Sequence, residues 1–152
     1  IKTIKRIIPD CGLSSDFITG FCDETEKDHL DTLTLMDFVK YNFSYMFFYS
    51  ERPSTFAQRK LIDNVPINIK KQRLSEIIDL QQKHSLINNQ NFIGKTQEVL
   101  IEGTSKKSDR KFFGRTTHNT VVVFRKKNAK IGDFVNVKIN DCTSATLIGE
   151  IK

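Results

Sequence analysis

From Phe92 to the end of the chain, apolar residues recur with a period of two, and that pattern confines the segment to short strands. Val99-Leu100-Ile101, Phe112-Phe113, Val121-Val122-Val123-Phe124, Phe134-Val135-Asn136-Val137-Lys138-Ile139 and Ala145-Thr146-Leu147-Ile148 are five candidates. Gly103, Gly114, Asn119, Gly132-Asp133 and Gly149 punctuate them. Five short strands closely spaced by turns suit a small OB-like barrel.

Upstream the rhythm is different. Ile1–Ile8 reads as the end of a helix, stopped by Pro9 and the Cys11-Gly12 turn. Phe17–Phe21 reads as a strand, and Asp23 with Glu26 fits a capping box. The helix that follows runs through Leu30, Leu33, Met36 and Val39. Phe43–Tyr49 is nearly continuous in large apolar residues, as expected of a strand buried on both faces. Ser50–Thr55 then lies at the C-terminal end of that strand, where α/β folds meet their ligands. A long helix starts near Pro66, with Leu74, Ile77 and Ile78 as its apolar stripe and Lys70, Lys71 and Arg73 solvated. Asn88–Asn91 ends it and reads as a linker. The expectation is therefore an α/β segment over residues 1–91, followed by an all-β, OB-like barrel over 92–152.

Charge separates the same two parts. Residues 1–91 hold 12 Lys/Arg against 12 Asp/Glu, whereas residues 92–152 hold 12 against 6, so the net charge of +6 lies wholly in the barrel. A basic module beside a neutral one points to an anionic partner, with nucleic acid the first candidate and a merely solvated surface the alternative. Lys106, Lys107, Arg110, Arg115, His118 and Arg125 are the candidate RNA contacts, with Phe112-Phe113 as possible stacking partners for bases. Alternate strand positions point inward, so one of these two phenylalanines belongs to the core.

Cys11, Cys22 and Cys142 are too scattered for a metal site, as are the three histidines, and reduced thiols are expected. No apolar run is long enough to span a bilayer, and no signal peptide is visible. A cytoplasmic monomer is expected. The chain opens at Ile1 inside an amphipathic pattern, which suggests an upstream part.

Several strings are familiar. IGKTQEVLIEGTSKKS, FFGRTTHNTVVVF, IGDFVNVKI and ATLIGE, over residues 93–150, closely resemble the TRAM domain, an RNA-binding β-barrel found in tRNA methylthiotransferases and some RNA methyltransferases. SSDFITGFCDETEKD and FFYSERPSTFA resemble stretches of the radical-SAM methylthiotransferases. There, an Ile-x-Gly strand packs beside the adenine of S-adenosylmethionine, and Ile18 and Gly20 occupy those positions. Arg52 matches an arginine after the next strand, where it could fork onto a carboxylate or phosphate, or pair with Glu51 or a neighbouring acid. Ser54 stands where the family usually has glycine. Cys22 in place of proline, with IIPDCGLSSD and IIDLQQ, favours the tRNA-modifying branch over the sister branch that acts on ribosomal protein S12.

The resemblance implies a full-length enzyme that adds a methylthio group to C2 of N6-isopentenyladenosine beside the anticodon. It implies S-adenosylmethionine and two 4Fe-4S clusters, with the anticodon stem-loop of tRNA as partner. The cluster-binding Cys-x-x-x-Cys-x-x-Cys motif is not in these residues, so the segment alone is expected to be inactive. A free-standing noncatalytic TRAM protein is the alternative from another class.

Overall fold

A computed structural model describes all 152 residues. In chain order the elements are α1 (Lys2–Ile7), β1 (Ser14–Thr19), α2 (Glu26–Val39), β2 (Phe43–Phe48), α3 (Phe56–Lys60) and α4 (Ile67–Gln90), then β3 (Thr96–Thr104), β4 (Lys111–Thr116), β5 (Val121–Arg125), β6 (Phe134–Cys142) and β7 (Leu147–Ile151). Tertiary contacts group Leu13–His84 into one unit, and Ile1–Gly12 with Ser85–Lys152 into another.

In the first unit, β1 and β2 pair in parallel, Ser14 opposite Phe43 through to Thr19 opposite Phe48. Parallel neighbours need a crossover, and α2 supplies it. Phe17 and Met46 pack with Met36, Val39, Tyr41 and Ile77 on one face of this sheet. The other face is open: Ile18, Tyr45 and Phe47 are each more than half exposed. β2 therefore alternates between exposed and half-buried positions, contrary to the expectation of burial on both faces.

The capping box is formed by Thr25 and Asp28, two residues beyond the expected pair. The Thr25 hydroxyl accepts from the Asp28 amide, and the Asp28 carboxylate accepts from the Thr25 amide at 2.9 Å. Asp23 instead takes a left-handed turn at φ 63° and exchanges hydrogen bonds with Asn64. The inward stripe of α2 is His29, Leu33, Met36 and Val39, so Leu30 is exposed and a histidine takes its expected place.

The helix α4 corrects the reading of its cations. Lys70, Arg73, Ile77, Gln81 and His84 form its buried stripe, at spacings of three and four residues. Lys70 Nζ donates to both carboxylate oxygens of Asp63. Arg73 donates to the Glu24 carboxylate at 2.8 Å, the Glu24 carbonyl at 3.0 Å and Glu26 at 3.3 Å. Gln81 donates to the Tyr41 carbonyl and accepts from Ser44. Only Lys71 of the three expected cations is exposed. A buried polar stripe survives because its members find partners; an unpaired charge in the same place would be costly.

His29 and His84 tie α2 to α4, through Glu76 at 2.7 Å and Asp37 at 3.0 Å. The His29 bond, with a second from Gln72, holds the Glu76 carboxyl below its usual range. A depressed carboxyl stabilises the fold above its ordinary value near 4.5, and that contribution is lost as pH falls through the folded value. Glu76→Gln is therefore expected to lower stability at pH 7 by under about 1 kcal/mol, since the carboxylate is partly solvated. The deficit should shrink as pH falls through the depressed folded value, as urea melts across pH would show.

The second unit is a closed barrel in the order β3-β4-β5-β7-β6, with β6 returning to β3. All pairs are antiparallel except β5 with β7. The expected five strands and OB-like closure are thus present. Alternate residues Val99, Ile101, Phe112, Val122, Phe124, Val137, Ile139 and Leu147 fill the interior. Gly103, Gly114 and Gly149, expected among the punctuation, lie inside strands instead. At Gly114 a Cβ would sit 2.1 Å from the Leu100 carbonyl oxygen, so the close approach of β3 to β4 requires glycine. The expected linker at Asn88–Asn91 is largely helical. Asn89 is buried and donates to the Thr143 carbonyl at 2.8 Å, a satisfied core amide rather than a solvated spacer.

Candidate nucleic-acid interface

The β3–β4 hairpin and the end of β5 bring basic residues to one end of the barrel. The Lys126 amide donates to the Arg110 carbonyl at 3.0 Å, which joins the hairpin tip to the segment leaving β5. In register, Lys111 lies opposite Arg125. Lys106, Lys107, Arg110 and Arg125 are exposed, and none forms an ion pair. Lys126 joins them, fixed by a bond to the Thr104 hydroxyl at 3.0 Å with its ammonium 4.7 Å from the centre of the Phe112 ring. The Arg125-Lys126-Lys127 run carried that signal in the sequence. Cations left without acids are free to neutralise phosphates.

The other expected contacts lie elsewhere. Arg115 lies at the far end of β4, about 13 Å along the strand from Lys111 at the usual rise per residue, and His118 lies in the turn that follows. Arg115 is occupied: its guanidinium donates to the Asn119 backbone and side-chain oxygens at 3.0 Å each, and pairs with Glu102 at 3.4 Å. Those bonds hold a turn in which Asn119 has φ 61°. His118 stands edge-on to Phe92, with ring centres 5.6 Å apart. Phe112 is the inward phenylalanine, 6% exposed against Phe124, which leaves no free ring face for a base. Phe113 is the outward one, flanked across β5 by Val123 and lying over Gly103.

In the first unit, Ile18 projects from the open sheet face near the C-terminal end of β1. Arg52 follows β2, exposed and without an ion pair, so the alternative pairing with Glu51 or a neighbouring acid does not form. Gly20 has φ 70°, and a Cβ there would lie 2.4 Å from Lys70 Cγ. The space beside this glycine is taken by the Lys70 stem, so Ile18 and Arg52 are available to a ligand where Gly20 is engaged by protein. No three His, Cys, Asp or Glu side chains come together to hold a metal ion, and all three cysteines are free. The donor set for an iron–sulfur cluster is not in these residues.

Residues 90–152 match the TRAM domain. A protein of Christiangramia forsetii is 63% identical over 150 residues, covering 99% of this chain and 31% of its own length. One from Karelsulcia muelleri is 60% identical over 151 residues, and one from Bacteroides fragilis 54% identical over 150; each covers 99% of this chain and 33% of the relative. All three are named tRNA-2-methylthio-N(6)-dimethylallyladenosine synthase. Over nearly its whole length the chain is similar to these synthases. It spans about a third of the length of the relatives it matches. Within its TRAM barrel, the closed sheet holds the hairpin tip and the end of β5 together, so the cations there sit on a rigid support. No helix of the chain is long and apolar enough to cross a membrane.

Proposed function

We propose that this chain is the RNA-holding portion of a radical-SAM tRNA methylthiotransferase. The whole protein adds a methylthio group to C2 of N6-isopentenyladenosine beside the anticodon. The observation that carries the reading is the group of unpaired cations, Lys106, Lys107, Arg110 and Arg125, gathered by the hairpin and β5 on a TRAM barrel. Their role is to grip phosphates of the anticodon stem-loop, which fixes position without reading sequence. On this reading the α/β segment, residues 1–91, serves the chemistry and the barrel, residues 92–152, serves RNA.

S-adenosylmethionine, when bound, supplies the radical for hydrogen abstraction from the base. Ile18 would offer an apolar contact to its adenine, and Arg52 a forked donor to an anionic group. Gly20 serves by making room for Lys70, which shapes the end of β1. Two 4Fe-4S clusters belong to parts of the enzyme beyond the length this chain spans. The protein works as a monomer in the cytoplasm.

Mass spectrometry of bulk tRNA from cells with and without the full-length gene tests this. Deletion is expected to remove the 2-methylthio mark while N6-isopentenyladenosine accumulates. Unchanged tRNA, with loss of a methylthio group from ribosomal protein S12, would move the chain to the sister branch.

A further inference from the structure

Beyond the cationic end, the barrel has an open depression of about 480 Å³ whose wall includes Lys127, Asn128, Asp133, Phe134 and Ile151. Phe134 is 66% exposed, on the outer side of β6 opposite Leu100. A phenylalanine that solvated contributes little to the core, since the interior is filled by its neighbours Val137 and Ile139. The depression has fixed edges: Lys127 donates to the Ile151 carbonyl at 2.6 Å, and the Asp133 carboxylate accepts from the Lys130 amide at 3.0 Å. The Asn128 side chain makes no hydrogen bond, so its amide keeps both a donor and an acceptor for a ligand edge.

We infer that this depression receives one unpaired nucleobase, stacked on Phe134 and met at its edge by the Asn128 amide. Position selects the occupant. Lys127 in the wall continues directly from Arg125 and Lys126, so a strand with its phosphates on those cations brings its next base to Phe134. A planar face to stack on, an amide for the edge and adjacent cations for the backbone are what single-strand binders combine. The inference rests on the RNA-binding reading above and names a base-holding subsite within it.

The test uses full-length protein, a hairpin RNA with an unpaired loop, and a fully paired RNA of the same length. Phe134→Ala is expected to weaken loop binding about 5- to 150-fold, the range for one stacked base. The salt slope should be unchanged, because no phosphate contact is lost. Binding of the paired RNA should also be unchanged, and Phe134→Tyr should retain wild-type affinity for the loop. A melt of the variant checks that this exposed position leaves the fold intact. Loop binding by Phe134→Ala at wild-type strength would overturn the subsite, as would an equal loss on both RNAs. If the wild-type protein binds neither RNA, the broader reading falls and takes the subsite with it.

Discussion

Gly114→Ala is expected to abolish the cooperative unfolding transition of the TRAM barrel. The added methyl would meet the Leu100 carbonyl oxygen at 2.1 Å and Val99 Cγ1 at 2.8 Å. The first is backbone held in the β3–β4 ladder, which cannot swing away as a long side chain would. Relief requires separating the strands at Ile101 and Gly114, and that breaks a closed sheet with no spare edge. Overpacking that a core can absorb costs about 1–3 kcal/mol, and a clash with backbone lies at or beyond the top of that range. Gly94→Ala is the control. It has φ 82° but nothing within 4 Å of the new methyl, so only the conformational cost of about 1 kcal/mol remains. Circular dichroism melts of the two variants should differ sharply. A barrel transition for Gly114→Ala within a few degrees of wild type would refute the close-packing argument.

Arg73→Ala is expected to cost about 3–5 kcal/mol in the Leu13–His84 unit, the usual penalty for breaking a buried ion pair from one side. The Glu24 side chain is 14% exposed and takes its shortest bond, 2.8 Å, from Arg73. Its remaining partner is the Thr19 hydroxyl at 3.4 Å. Removing the guanidinium also frees the Glu24 carbonyl and loosens the loop between β1 and α2. Lys71→Ala, two residues away on the solvated side of α4, should change stability by less than about 0.5 kcal/mol. Urea denaturation of both variants decides this. Equal midpoints would mean that Arg73 is no more than a surface cation.

The barrel was legible in the sequence because every strand carries its own period-two pattern and the turns between them are short. The α/β segment was legible in its rhythm and less so in its faces. Lys70, Arg73 and Gln81 lie on the inward side of α4 because Asp63, Glu24, Tyr41 and Ser44 come to meet them. Glu24, Tyr41 and Ser44 are distant in sequence and Asp63 lies outside the helix, so a hydropathy pattern registers only polar residues and assigns them to water. His29 misled for the same reason: its partner Glu76 lies 47 residues away. The capping box slipped by two because residues 23–28 hold two overlapping capping patterns, Asp23 with Glu26 and Thr25 with Asp28, and the left-handed turn at Asp23 selects the second.

Among the candidate site residues, the exposure of the hairpin cations was readable from composition and position. The engagement of Arg115 was not, because it depends on Asn119 and Glu102 closing around it. The choice between Phe112 and Phe113 needed the register of β4, which fixes which of two adjacent rings turns inward. Phe134 could have been flagged from the alternation Phe134-Val135-Asn136-Val137, where Val135 and Val137 take the inward parity and leave the ring outside.

On the proposed function, the hairpin and β5 cations hold tRNA through its phosphates. The direct test is tRNA affinity of the full-length protein as a function of salt, compared with Lys106→Ala/Arg110→Ala/Arg125→Ala. Each phosphate contact contributes roughly 0.7–0.9 to the slope of log K against log salt. The triple variant should therefore lose about 2–3 units of slope, with affinity reduced at low salt and the two proteins converging at high salt. A slope equal to wild type would rule out that role and place the RNA surface elsewhere on the protein.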